Sequence, residues 1–144
     1  MNENIYENQY RATLVCIDGY ENGILTGRMY HPCFGEGAAF KSAMEFLKQL
    51  EFMMKSVNYP LSNYTIRQFC PVQKVDLSDP SLETQKTGKI ATFALRLRFR
   101  QNTSWQGTVI WSEGKREENF RSVLELLFLM DSVLCEKAAV PDEV

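Results

Sequence analysis

Residues 120–127 read FRSVLELL, and residues 40–47 read FKSAMEFL, so nearly the same phrase occurs twice at a spacing of eighty residues. Both copies contain Ser-x-x-Glu, which is the pattern of a helix capping box. The serine oxygen accepts a hydrogen bond from the amide three residues on, and the glutamate is expected to accept one from the serine's own amide. The phrase therefore predicts two equivalent helix starts. Their capping residues are Ser42, Glu45, Ser122 and Glu125.

Each helix start follows two segments that alternate between apolar and polar residues, which is typical of strands. Residues 12–20 and 24–31 flank the turn letters ENG, and residues 89–100 and 105–111 flank QNTS. Each pair predicts a β-hairpin, because turn residues between two alternating runs favour one.

The two halves align at an offset of eighty residues without a gap. The aligned pattern predicts an internal repeat at approximately residues 12–57 and 92–137, joined by a connector over residues 58–91. We therefore predict a single domain over residues 1–144 of the α+β class. It consists of a duplicated ββα repeat that forms a four- to five-stranded antiparallel sheet, with two helices packed on one face.

The composition excludes several classes of function. The chain has 144 residues, 44% of them hydrophobic, and a formal net charge of −2, so no overall positive field attracts nucleic acid or an anionic membrane. No apolar run approaches the roughly 20 residues needed to span a bilayer. The polar N-terminus lacks the pattern of a signal peptide. We therefore expect a cytoplasmic protein with no membrane partner.

The residues that usually bind metals or act as nucleophiles are sparse. There are four cysteines and one histidine, and no two cysteines form a Cys-x-x-Cys pair. A zinc site needs four ligands at short local spacing, so we expect no metal and no cofactor. Ser122 has no evident activating base, which a serine nucleophile needs. These observations favour a non-enzymatic protein. The alternative is a ligand-binding protein or enzyme with a pocket between sheet and helices, near Tyr30, His31 and Cys33.

The second helix is more apolar than a helix on one face of a sheet requires. Val123, Leu124, Leu127, Met130 and Leu134 form one apolar stripe that is expected to face the core. A second stripe lies beside it, and monomers rarely leave such patches exposed. The pattern predicts a homodimer, and the alternative is a monomer in which residues 61–88 of the connector cover this helix. The residues of the expected dimer face are Leu126, Phe128, Leu129 and Val133.

A basic strand is the most suggestive surface feature. Three arginines on alternate residues share a face, and two tryptophans follow on the partner strand. Guanidinium groups beside aromatic rings are typical of sheets that bind single-stranded nucleic acid. A shift of one residue in the hairpin register would turn Trp105 and Trp111 into the core instead. The candidate partner or nucleic-acid face consists of Lys89, Arg96, Arg98, Arg100 and Trp105. The alternative is a solvated outer face whose arginines are neutralised by a neighbouring strand or by acids such as Glu117 and Glu118.

The string SWQGTVIW followed by FRSVLELLFLMDS resembles a small family of uncharacterised Gram-positive bacterial proteins. The resemblance covers mainly residues 93–134. It implies a bacterial cytosolic protein, and it implies no activity and no functional residues.

These observations lead to three hypotheses for function. The first is a non-enzymatic binding or adaptor module that forms a homodimer and binds a protein partner. The second is single-stranded nucleic-acid binding through the arginine and tryptophan face, which the acidic composition does not favour. The third is a small-ligand-binding protein or enzyme with a pocket between sheet and helices.

Overall fold

The computed structural model describes residues 12–31, 37–62, 64–71 and 87–139. Six strands form one antiparallel sheet in the order β3-β2-β1-β4-β5-β6, accompanied by two helices. The predicted α+β class and antiparallel sheet are confirmed. The elements are β1 Ala12–Glu21, β2 Ile24–Tyr30, β3 Ala38–Phe40, α1 Ala43–Val57, β4 Ala91–Phe99, β5 Gln106–Trp111, β6 Arg116–Phe120 and α2 Val123–Ala139.

The predicted number of four to five strands is wrong, because each half adds a third strand at a sheet edge. β3 has three residues, which is too short to show an alternating pattern. β6 reads REENF, and its first four residues are exposed, so the sequence pattern is that of a polar loop. Charged residues on an edge strand prevent further strand pairing. Each half therefore has the order βββα rather than ββα.

The two capping boxes form where the sequence predicts them. The hydroxyl of Ser42 accepts from the amide of Glu45 at 3.1 Å, and Ser122 accepts from Glu125 at 3.1 Å. The glutamates differ from the expected arrangement, because they accept from the amide before the serine. Glu45 accepts from the amide of Lys41 at 2.7 Å, and the second glutamate accepts in the same way from Arg121. Each helix start is thus capped by its own serine, and the glutamate three residues on binds the amide that precedes this cap.

The core lies between one face of the sheet and both helices. The inward side chains of the two central strands include Val15, Ile17, Phe93 and Leu95, all buried. Large apolar side chains of both helices join the same cluster, so the two helices lie on one face. The buried helix residues are Phe46, Leu50, Met53, Met54, Leu126, Met130 and Leu134.

Two β-bulges interrupt the sheet register at positions eighty residues apart. In β1 the bulge lies between Ile17 and Gly19, and in β4 it lies between Leu97 and Phe99. A bulge inserts one extra residue, so the side chains beyond it change faces relative to strict alternation. The bulge in β4 therefore decides which way Arg100, the next residue after the strand, points.

Candidate binding groove

Arg100 and Trp105 lie on the helix side of the sheet and not on an outer face. Both are buried, at 5% and 4% exposure. Glu51 of α1 joins them: its Oε2 accepts from Nη2 of Arg100 at 2.5 Å, and its Oε1 accepts from the indole Nε1 of Trp105 at 3.0 Å. Arg100 also donates from Nη1 to the carbonyl of Pro60 at 3.0 Å. These two residues therefore hold the hairpin of β4 and β5 against α1.

The remaining residues of the predicted face are not brought together. Arg98, in the bulge, and Lys89, before β4, are both exposed. They lie at opposite ends of β4, about 20 Å or more apart at the rise of an extended strand. Arg96 is half-buried between them. The five predicted residues therefore do not form one surface.

The sheet face opposite the helices is also more closed than a nucleic-acid platform requires. Cys16 pairs with Arg28 in β2 and with Thr92 in β4, so the three side chains share this face. None of them is more than 3% exposed. Bases stack on aromatic rings that solvent can reach, which this part of the face does not offer.

The sequence analysis missed an ion pair on that same face. Nε and Nη2 of Arg28 donate to the two carboxylate oxygens of Asp18 at 2.8 and 2.9 Å, and Nη1 donates to the hydroxyl of Tyr30 at 3.0 Å. Burial alone would raise the pKa of Asp18. The hydrogen bonds from the Arg28 side chain and the Lys89 amide, together with the positive charges of Arg28 and Lys89, outweigh burial, so the pKa of Asp18 is lowered overall. The alternation of apolar and polar residues in β1 and β2 could have indicated this ion pair, because it places Asp18 and Arg28 on the same face of the sheet.

The predicted dimer face is divided between core and surface. Leu126 is fully buried, and Leu129 and Val133 pack against the core. Among the four, only Phe128 is well exposed, at 63%, and it is accompanied by Leu124 at 62%. The apolar stripe of α2 that faces the core is therefore rotated about the helix axis relative to the predicted stripe. Leu124 lies outside the observed stripe, and Leu126 lies within it.

An apolar groove runs along the solvent side of α1. It has a volume of about 670 Å³ and lies between α1, the segment of residues 64–71 and the start of α2. Its apolar lining residues include Met44, Leu47, Phe52, Ile66, Trp105 and Val123. Three of them, the methionine, phenylalanine and isoleucine, are at least 40% exposed, so the groove is open along its length.

Ser104 holds two walls of this groove in place. Its carbonyl oxygen accepts from the hydroxyl of Tyr64 at 3.2 Å, and its hydroxyl accepts from the amide of Val123 at 2.8 Å. The turn between β4 and β5 thereby fixes both the segment of residues 64–71 and the first turn of α2. Because these walls are already fixed, a bound ligand would lose less free energy to the ordering of loops and side chains.

The charges lining the groove that have no ion-pair partner among the described residues are positive. Lys48 and Lys55 of α1 line it, both are exposed, and neither forms an ion pair with a described residue. The only acid among its lining residues is Glu51, whose two oxygens are engaged by Arg100 and Trp105. The groove therefore offers two unneutralised ammonium groups beside an apolar floor.

One acidic side chain, Asp131, interacts with two other titratable groups in a way that does not activate them. The carboxylate of Asp131 accepts from the hydroxyl of Tyr20 at 2.5 Å and from the thiol of Cys135 at 3.1 Å. The hydrogen bond to Asp131, together with burial and that negative charge, raises the pKa of Tyr20 to about 12. The same carboxylate raises the pKa of the Cys135 thiol, which makes that thiol a poorer nucleophile.

The predicted ligand pocket near His31 can be followed only in part. Tyr30 is half-buried and His31 is buried, while Cys33 lies outside the described residues. Across the described ranges, no group of three or more His, Cys, Asp or Glu side chains is arranged to hold a metal ion. Neither helix combines the length and the apolar character that a membrane-crossing segment needs, among the residues described.

Comparisons with known proteins add no family to this geometry. No protein-family model, no curated protein and no solved structure matches the chain.

Proposed function

We propose that this protein is a non-enzymatic binding module that receives a segment of a partner protein in the groove along α1. The observation that carries the proposal is the open apolar groove of about 670 Å³ lined by Phe52, Ile66 and Trp105. Exposed apolar side chains that gather in one concave surface are typical of interaction sites.

The shape of the groove favours a polypeptide segment over a small molecule. Sites for small molecules enclose most of the ligand surface, whereas Met44, Phe52 and Ile66 are widely exposed here. The α1 residues that line the groove extend from Met44 to Lys55, which is about 16 Å along a helix axis. That length is about three helical turns, which suits a peptide lying along α1.

The other hypotheses receive less support from the described residues. Nucleic-acid binding depended on Arg100 and Trp105 lying on an open face, and Glu51 engages both on the helix side instead. An enzyme needs an activated group, and among the described residues the closest grouping, Asp131 with Tyr20 and Cys135, raises the pKa values of its phenol and thiol.

We also propose that the protein self-associates weakly through α2. Leu124 and Phe128 lie four residues apart on this helix, so they share one side, and both are exposed. A stable dimer buries about 800 Å² on each partner, which is more than two side chains can provide. The patch therefore supports a weak and reversible dimer rather than an obligate one.

The order of elements supports a further proposal, that the two halves are copies of one βββα unit. Gly27 and Gly107 stand eighty residues apart, and each pairs beside the bulge of its half. A Cβ atom would lie 2.1 Å from the carbonyl oxygen of Cys16 at the first glycine and 2.0 Å from that of Arg96 at the second. The same close approach thus requires glycine in both halves.

An exchange of the halves tests this equivalence. A chain in which the second half precedes the first, with the connector kept between them, should fold with nearly unchanged amide resonances in the central strands β1 and β4, since the contacts between these strands do not depend on the order of the halves. A chain that stays unfolded would contradict the equivalence.

The groove is tested by selecting peptides from a display library against the whole 144-residue chain. We expect the selected peptides to bind Phe52→Asp at least about tenfold more weakly, because a buried carboxylate is poorly tolerated in an apolar interface. The matched control is Phe99→Asp, which alters a phenylalanine of similar exposure outside the groove. Failure to recover any peptide, or binding that does not depend on Phe52, would overturn the proposal.

A further inference from the structure

We infer that the occupant of the groove is an acidic amphipathic helix of the partner protein; this rests on the function proposed above. The charge of the groove carries the inference. Lys48 and Lys55 are the only lysines or arginines that line it, and both are free of ion pairs with described residues. Two ammonium groups beside apolar side chains complement carboxylates that flank an apolar stripe.

The spacing of the lysines specifies the partner more closely. Lys48 and Lys55 are seven residues apart on α1, which is two helical turns or about 10 Å. A helix that lies along α1 presents its own side chains at the same repeat. Two acidic residues seven positions apart would therefore each meet one lysine.

The apolar floor lies between and beside these two charges. Leu47, Phe52 and Trp105 contribute to it, and Glu51 adds no unneutralised negative charge because Arg100 and Trp105 occupy its oxygens. Apolar residues of the partner at steps of three and four would face this floor. The acidic residues at both ends would fix the position of the helix along the groove.

The groove charge is opposite in sign to the charge of the whole chain, which is −2. An acidic partner is therefore attracted by the groove and weakly repelled by the rest of the surface. This arrangement directs acidic segments to one place, and screening by salt weakens both effects.

The test uses three synthetic helical peptides of about 18 residues, long enough for partial helicity in isolation. All carry leucines at steps of three and four on an alanine and glutamine background. The first has glutamate at two positions seven residues apart that flank the leucines, the second has glutamine there, and the third has lysine. Binding of each labelled peptide to the whole 144-residue chain is measured by fluorescence anisotropy at low salt and at about 1 M salt.

We expect the glutamate peptide to bind about fivefold more tightly than the glutamine peptide at low salt, and the lysine peptide to bind least. The preference should disappear at high salt and reverse in the Lys48→Glu/Lys55→Glu variant. The matched control is Lys41→Glu/Lys115→Glu, which changes the net charge equally at two exposed lysines that do not line the groove. This control should keep the preference.

The possible failures are distinguishable. If the glutamate and glutamine peptides bind equally and both depend on Phe52, the acidic partner is overturned and the groove function stands. If no peptide depends on Phe52, the proposed function is overturned as well. Binding of dodecanoate below its micellar concentration that depends on Phe52, together with no binding of any of the three peptides, would assign the groove to a small anionic amphiphile and overturn the helix. A dimer that Phe52→Asp abolishes would assign the groove to a second copy of the chain and overturn the separate partner.

Discussion

Arg100, which follows β4, donates to Glu51 of α1 at 2.5 Å and so joins the second half of the chain to the helix of the first half. The hydrogen bond from Tyr20 of β1 to Asp131 of α2 joins the halves in the opposite direction. Both acids stand at equivalent places, eighty residues apart. Each helix is thus bound by a residue of the other half of the chain. That residue lies at or just after the C-terminal end of a central strand.

Replacement of Glu51 by glutamine should lower the free energy of unfolding by about 2 kcal/mol, because the buried Arg100 guanidinium would lose its counter-charge. Urea unfolding of both proteins at neutral pH measures the difference. The control is the double variant Glu51→Gln/Arg100→Met, in which no unpaired charge remains, and it should be less destabilised than Glu51→Gln alone. Equal stability of Glu51→Gln and the wild type would show that the pair contributes nothing.

Tyr20 should titrate with a pKa of about 12, above its ordinary value of 10.0. The carboxylate of Asp131 accepts a hydrogen bond from the Tyr20 hydroxyl, and its negative charge disfavours the phenolate. A folded-state pKa that is raised stabilises the fold fully below the unfolded value and loses this contribution as the pH rises through the folded value. The stabilisation is therefore lost between about pH 10 and 12. Phenolate absorbance, with the Tyr20→Phe curve subtracted, follows the titration.

The partner carboxylate behaves in the opposite sense. The hydrogen bonds from Tyr20 and from Cys135 lower the pKa of Asp131. Its contribution to stability is therefore present above the unfolded-state pKa and is lost as the pH falls through the folded one. Asp131→Asn should return the pKa of Tyr20 toward 10. A Tyr20 titration curve that is unchanged in this variant would contradict the assigned cause.

Loss of either helix cap should destabilise the protein by similar amounts. Ser42→Ala and Ser122→Ala each remove an oxygen that accepts from the first turn, and each should lower the free energy of unfolding by about 1 kcal/mol. Ser132→Ala, on the exposed side of α2, is the control and should have a smaller effect. The midpoints of urea unfolding, compared at an unchanged dependence of the unfolding free energy on urea concentration, measure the difference in stability. A loss confined to one serine would argue against equivalent caps.

Phe128→Asp should abolish the weak self-association proposed for α2, and the monomer should stay folded because this side chain is 63% exposed. Sedimentation velocity over a range of concentrations measures the change. Leu126→Asp provides the contrast, since it places a carboxylate in the core and should unfold the protein. A wild-type protein that is monomeric at every concentration would overturn the dimer.

The helices and the main strands could be predicted because their signals are short-range. The boxes at Ser42 and Ser122 lie within one helical turn, and the alternation of β4 lies within one strand. β3 and β6 were missed because edge strands are defined by their pairing with a neighbour and not by their own pattern. The dimer face was predicted incorrectly for a similar reason. Helical periodicity alone placed Leu124 in the core and Leu126 on the surface, whereas packing against the sheet buries Leu126 and exposes Leu124.

The sequence by itself determined the α+β class and the two capped helices, since these depend on hydrogen bonds and side-chain periodicity within a few residues. Only the tertiary structure decided the faces of Arg100 and Trp105, because the bulge in β4 shifts the register of the hairpin that carries both residues. It alone also formed the groove, whose walls come from α1, from residues 64–71 and from the turn at Ser104. Those segments are distant along the chain, and only packing over a shared core brings them together.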